Sequence, residues 1–182
     1  MLKIVLSPDP GLAQVCEPCD PKDKTLSKLS KQMAHAMYVN DGCGIAAPQV
    51  GVNKRLIVID VDYTGKNDRD PLVLINPEIV ELSGDMETAH EGCLSCPGVS
   101  IPVTRPAFAR VQYTGLDGEL WEIEGDGLLG RCLQHEIDHL NGRTLFESCS
   151  PEVRIRALAA YEEAKAAGAR PGETAIVVEE EE

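Results

Sequence analysis

Leu26, Leu29, Met33 and Met37 recur at intervals of three and four with lysine and serine between them, a spacing that places one apolar stripe on a helix from about Lys24 to Val39. The Asn40-Asp41-Gly42 cluster stops it. The period then changes. Arg55 to Val61 and Leu72 to Asn76 are rich in branched apolar residues, and Val111 to Tyr113 faces Leu120 to Ile123 across the turn residues Gly115 to Gly118, so strands are predicted at each. A second helix is predicted from about Asp126 to Leu140. Its Leu128, Leu129, Cys132, Leu133, Ile137 and Leu140 run round much of the circumference, as befits an interior helix. A third, from about Pro151 to Ala167, has Val153, Ile155, Leu158 and Tyr161 as its apolar residues and reads as more exposed. Residues 168–182 are expected to form a flexible acidic tail. The pattern has no internal repeat. It predicts an α+β fold, with antiparallel or mixed sheets around a central buried helix, a C-terminal helix, and a single domain over residues 1–167.

A chain of 182 residues can bury about two-thirds of its unfolded surface around one core, so it needs no disulfide framework. Its seven cysteines are odd in number, and the first residues lack the basic and apolar regions of a secretory signal, which predicts a reducing cytoplasm. No apolar run approaches the roughly 18 residues that span a bilayer, so no membrane partner is expected. The net charge of −13, from 30 acidic and 17 basic side chains, opposes nucleic-acid binding. Part of that charge is local, in Glu179 to Glu182.

Candidate chemistry centres on His135-Glu136-Ile137-Asp138-His139. In this H-E-x-x-H pattern the two histidines stand one above the other on a helix and can reach one ion, while Glu136 is close enough to exchange a proton with water on that ion. The competing explanation is a buried helix with two hydrogen-bonded core histidines. His35 and His90 are isolated in sequence and read as ordinary polar residues. A catalytic metal takes three protein ligands and leaves a position for water. Cys93, in Glu91-Gly92-Cys93-Leu94-Ser95, is the best third candidate: Gly92 would let the backbone pass close to an ion, and a thiolate binds iron or zinc well. Cys93 as a small core hydrophobe is the alternative.

Two other patterns compete. Cys16-x-x-Cys19 and Cys93-x-x-Cys96 suggest a four-cysteine zinc site, but the pairs lie much further apart than ribbon-like sites allow. Gly42-Cys43-Gly44-Ile45-Ala46-Ala47 loosely matches a dinucleotide fingerprint, with Asp62 about 20 residues later. Its glycines follow a predicted helix rather than a strand, and Pro48 disrupts the helix that should receive a pyrophosphate.

Three segments in order, Gly42 to Gln49, Glu91 to Ser95 and Gln134 to Leu140, together resemble the peptide deformylase family over residues 1 to about 167. The resemblance implies hydrolysis of the N-formyl group of formyl-methionine on newly made polypeptides, releasing formate. It implies attack by metal-bound water, with Glu136 as general base and then acid, and Cys93, His135 and His139 as metal ligands. The side-chain amide of Gln49 and the backbone N–H of Leu94 would stabilise the oxyanion. Gly44, Ile45 and Gly92 would line the substrate groove, and Cys132 and His135 would lie near the methionine pocket. Arg105 would pair with Glu91 to support the Cys93 loop, or would be a solvated surface cation; Asp138 would orient a neighbour or cap backbone.

The resemblance also implies one divalent metal, Fe(II) first, with Zn, Ni or Co able to use the same ligands. A monomer is expected. Transient ribosome contact through Arg154, Arg156, Lys165 and Arg170 is a further expectation, opposed by the terminal glutamates. Cys96 and Ser100 depart from the family's usual branched apolar residue and arginine; Cys16 and Cys19 have no family role. A zinc endopeptidase is the enzymatic alternative and would normally take a later histidine or glutamate as third ligand. A zinc-stapled structural protein would need Cys96 or Cys132 as a fourth.

Overall fold

The computed structural model describes residues 1–63, 65 and 68–181. Helix α1 (Thr25–Val39) buries Leu26, Met33 and Met37 along the stripe its periodicity predicts. Beyond it come β1 (Gly44–Ala46), a 3-10 turn over Ala47–Val50, and β2 (Leu56–Ile59), which is buried throughout. Strands β3 (Leu72–Glu91) and β4 (Gly98–Thr114) form a hairpin whose arms are 20 and 17 residues long. β5 (Leu120–Gly125) pairs with the end of β4. Helix α2 (Gly127–Leu140), a short α3 (Leu145–Ser148), α4 (Pro151–Ala166) and β6 (Thr174–Val177) complete the chain.

The strands lie in the order β1-β2-β3-β4-β5, each antiparallel to its neighbour, while β6 joins the start of β4 in parallel. A helix on one face of such a mixed sheet gives the α+β architecture the pattern predicts. The hairpin is much longer than the two short strands expected, because its ladder is interrupted. Bulges after Ile75, Ile79 and Ser83 break the apolar alternation, and Asn76 (φ 51°) and Gly84 (φ 82°) occupy two of them. Each bulge re-aims the strand, so one hairpin serves two cores. Its inner half packs Leu74 and Val111 against Leu133, Ile137 and Leu140 of α2. Its outer half packs Ile101 and Val103 against Phe146, Val153 and Tyr161.

Two helices depart from their expected faces. Leu128 of α2 is 55 % exposed rather than interior. On α4, Val153, Ala157, Tyr161 and Ala164 are buried, whereas Ile155 is 74 % exposed and Leu158 is also outside. The alanines explain this: small side chains let the helix backbone approach β4, where Gly98 meets Ala164 without a Cβ of its own. The Ser150 hydroxyl caps the helix by accepting from the Val153 N–H at 3.2 Å. The stretch from Gly168, expected as a flexible tail, contains β6 and the buried Val178. None of the helices is long and apolar enough to cross a membrane, among the described residues.

Candidate metal centre and active site

α2 brings His135 and His139 onto one face, and the tight turn between β3 and β4 delivers Cys93 beside them. Their three donor atoms lie within 4.8 Å of one another, the one such group among the described residues. Cys93 Sγ is 3.3 Å from His139 Nε2. His135 Nδ1 is 2.8 Å from Glu91 Oε1; read as donor to that carboxylate, it leaves Nε2 as the inward-facing lone pair. A hydrogen bond from Cys96, working against burial and aided by His139 and His135, holds the Cys93 thiol well below its ordinary value. Cys96 is thereby kept protonated as the donor.

A thiolate and two imidazoles are a donor set for a borderline divalent ion. Two buried polar atoms bear on the fit: Glu136 Oε2 and His139 Nδ1 have no hydrogen-bond partner among the described residues. A buried carboxylate oxygen without a donor is costly, so its position beside three ligand atoms suits a site that receives water. Glu136 Oε1 is 4.0 Å from His135 Nε2, close to the centre without being a fourth member of the donor group. Burial pushes the Glu136 carboxyl up, against the opposing pull of His135 and His139.

Glu91 is the hub of the support. It accepts from Arg105 Nε at 2.7 Å and Nη2 at 3.0 Å, and from Arg131 Nη1 at 2.7 Å, in addition to His135. Burial raises its pKa, but the His135 and Arg105 hydrogen bonds prevail and hold it at about 2. Arg105 continues to Asp138 at 2.8 Å, and Asp138 accepts from Ser148 at 2.9 Å. At 6 % exposure Arg105 is a buried ion-pair partner, not a solvated cation, and Asp138 orients it rather than capping backbone. Arg131 belongs to none of the motifs read from the sequence. Its position four residues before His135, on the same helix face, is the signal that could have found it.

Gln49 has a fixed orientation. The Ala46 N–H donates to its Oε1 at 2.9 Å, which turns Nε2 toward Cys93 Sγ, 3.5 Å away, and Ser95 Oγ, 3.2 Å away. The Cys43 carbonyl accepts from the Asp60 N–H. Since peptide direction alternates along a strand, Gly44 turns its N–H and C=O away from β2. A Cβ on Gly44 would lie 2.7 Å from Glu136 Oε1 and 2.8 Å from Cys132 Sγ. The close backbone approach expected at Gly92 therefore occurs at Gly44; a Cβ on Gly92 would meet nothing within 4 Å.

All of this opens into a cavity of about 310 Å³, lined by Gly44, Gln49, Gly92, Cys93, Leu94, Cys132, His135 and Glu136. The exposed Leu128, along with Cys43 and Val99, adds apolar wall. Ile45, expected to line it, does not: it is fully buried and packs in the α1 core. Ser100, His90 and Val178 meet at the outer end, where His90 Nε2 lies 2.8 Å from the Val178 carbonyl.

The competing motifs separate. Cys16 packs with Leu140, and Cys19 Sγ lies 3.6 Å from the Arg55 carbonyl, so neither joins Cys93. Gly44–Ala46 is a strand followed by a 3-10 turn, so no helix N-terminus awaits a pyrophosphate.

The polypeptide deformylase family profile matches residues 1–154. This chain belongs to that family. It is 45 % identical over 157 residues to a peptide deformylase of Hydrogenovibrio crunogenus, covering 86 % of this chain and 90 % of that one. It is 47 % identical over 139 residues to one of Agrobacterium fabrum, covering 76 % and 81 %. A crystal structure of a peptide deformylase from Synechococcus elongatus in complex with actinonin superposes with a TM-score of 0.84 at 40 % identity, covering 93 % of this chain and 92 % of that one. One from Legionella pneumophila superposes with the same score at 38 % identity, covering 92 % and 96 %. The members are metalloenzymes, and the Cys93, His135 and His139 cluster is the group among the described residues that could hold the ion.

Proposed function

We propose that this chain hydrolyses the N-terminal formyl group of formyl-methionyl polypeptides, with Glu136 as the proton carrier. The observation that carries this is the buried, unpartnered Glu136 Oε2 beside the three donor atoms, at the foot of an open cavity. Cys93, His135 and His139 would hold a divalent ion, which would supply Lewis acidity and lower the pKa of water toward neutrality. Fe(II) is the ion we assign; zinc, nickel and cobalt suit the same donors. Glu136, its carboxyl raised by burial, accepts a proton as water adds to the formyl carbon. It returns that proton to the departing nitrogen, so water and formamide become formate and a free amine.

Gln49 Nε2 and the Leu94 N–H donate to the developing oxyanion, each worth about 3 kcal/mol of barrier. Gly44 lends its outward N–H and C=O to the peptide as to an added strand, and its missing Cβ leaves room for the Glu136 and Cys132 side chains. Cys43, Leu128 and Cys132 line the side of the cavity that takes the methionine side chain. Glu91, Arg105 and Arg131 hold His135 in one orientation. The functional unit runs past residue 167 to take in β6 and the cavity wall at Gly172 to Thr174, and we assign it as a monomer acting in the bacterial cytoplasm.

Ribosome contact through α4 would need side chains that are already engaged. Arg154 donates to the Phe146 carbonyl, Arg156 to the Glu179 and Glu180 carbonyls, and Lys165 and Arg170 pair with Glu162 and Glu173. Unchanged ribosome co-sedimentation after charge reversal of Arg154 and Arg156 would remove that idea.

The reading is tested with anaerobically prepared protein on formyl-Met-Ala-Ser and on an acetylated peptide with internal methionine. Stoichiometric formate from the first and no cleavage of the second is expected. Internal cleavage without formate would favour the endopeptidase reading instead.

A further inference from the structure

Cys96 is a buried nucleophile that the hydrolytic reaction does not use. It lies three residues after Cys93, and its N–H closes a turn by donating to the Cys93 carbonyl at 3.0 Å. A turn closed in this way brings its end Cα atoms within about 7 Å, and disulfides span about 4.4–6.8 Å between Cα atoms. The side chains also face each other, since the Cys96 thiol donates to the Cys93 sulfur. Cys16 and Cys19 have the same spacing but no such turn, because the Cys19 N–H donates to Asn76 Oδ1 instead.

The two thiols are unequally placed. Cys93 is half-buried and lines the cavity, so a small solute can reach it. Cys96 is 1 % exposed and belongs to the core of Phe146, Val153 and Tyr161. A reachable sulfur backed by a shielded thiol is the arrangement of an attacking and a resolving cysteine. Cys43 and Cys132 also line the cavity, but they come from separate elements, and the Cys132 thiol donates to the Cys43 carbonyl at 3.8 Å. Cys19 and Cys149 are turned to the carbonyls of Arg55 and Phe146.

We propose that Cys93 and Cys96 form a reversible disulfide when the metal site is empty, so that metal and disulfide compete for the Cys93 sulfur. This rests on the reading of Cys93 as a ligand. With hydrogen peroxide as oxidant, the Cys93 sulfur attacks one peroxide oxygen, the O–O bond breaks, and Cys93 becomes a sulfenic acid as water leaves. The Cys96 sulfur then attacks the Cys93 sulfur: the S–S bond forms, the S–O bond breaks, and the hydroxyl departs as a second water with the Cys96 proton. Two thiols have given up two electrons, and the peroxide has taken them. A dithiol reverses the bond by exchange. Without Cys96, the sulfenic acid would meet a second peroxide and become a sulfinic acid, which no thiol restores. Cys96 thus keeps the ligand recoverable.

The test treats full-length wild type, Cys96→Ser and Cys96→Val with hydrogen peroxide, each both zinc-loaded and stripped by a chelator, and reads intact mass, peptide maps and zinc uptake. Zinc is chosen because it has no redox chemistry of its own. Stripped wild type should lose about 2 mass units, map to a link between Cys93 and Cys96, and regain about one equivalent of zinc after dithiol treatment. Zinc-loaded wild type should react at least about tenfold more slowly. Both variants should gain about 32 mass units at Cys93 and regain little zinc after the dithiol. A link between Cys43 and Cys132 in its place, or oxygen added to Cys93 beside a free Cys96, overturns the proposal, as does equal reactivity with and without zinc. Reduced wild type that takes up no zinc overturns the competition and the ligand reading together. Each arm is read without formate release, so failure of the deformylase reading shows separately in that assay.

Discussion

On the inner wall of the cavity, Glu91 receives hydrogen bonds from His135, Arg105 and Arg131 while almost wholly buried. On the outer wall, Glu173 has one exposed arginine partner and is held in place by backbone pairing. The first carboxylate exists to fix geometry, and its charge is fully consumed by its neighbours. The second is paired with Arg170 at the surface, where water screens it. Substitutions in the inner wall should therefore change whether the protein reacts or folds, and substitution of the Glu173 side chain should change either far less.

The sharpest break is expected at Cys93→Ala. Losing one of three ligands should drop metal content well below one equivalent and lower formate release by more than about 10³-fold, while circular dichroism stays native. Full metal occupancy in that variant would show that Cys93 is not a ligand. Next in size is Arg105→Ala, which removes two of the donors to the buried Glu91 and the ion-pair partner of the part-buried Asp138. It should cost about 3–5 kcal/mol in denaturant unfolding. A loss below about 1 kcal/mol would show the pair to be solvated after all.

Gln49→Ala should lower kcat by about 10²- to 10³-fold with KM and metal content little changed, because the amide is needed only as oxyanion charge develops. An effect confined to KM would make Gln49 a binding residue. Glu91 also predicts a pH dependence. Its pKa is held at about 2 in the fold against an ordinary value of 4.5, so its contribution is complete above about pH 4.5 and is lost as pH falls toward 2. The loss should be about 3 kcal/mol across that window and should be missing from Glu91→Gln. At the small end, Ile155→Ser on the exposed face of α4 should change stability by less than about 0.5 kcal/mol and leave turnover intact.

The two walls also differ in how far they can be read before folding. α1 and α2 carry clear 3.6-residue periods, and the inner wall falls on short motifs whose spacing is itself the chemistry: His135 to His139 makes sense only on a helix. Arg105 was matched to Glu91 only through the resemblance, because an arginine in a strand reads alike whether it meets water or a carboxylate 14 residues earlier. The outer wall was hidden for a topological reason. Ala175-Ile176-Val177-Val178 is an apolar run in a glutamate-rich stretch, and only its pairing with distant β4 makes it a strand. Ile155 and Leu158 misled for the converse reason, since on α4 Ala157 and Ala164 join Val153 and Tyr161 on the face that meets the core.

The central claim is that Glu136 moves the proton and does not hold the ion. It is tested most directly by Glu136→Gln, prepared anaerobically, with metal content and formate release from formyl-Met-Ala-Ser measured on one sample. Metal equal to wild type with kcat lowered by about 10²-fold or more is the predicted result. Near-wild-type formate release from the metal-loaded variant, or loss of the metal itself, would contradict it.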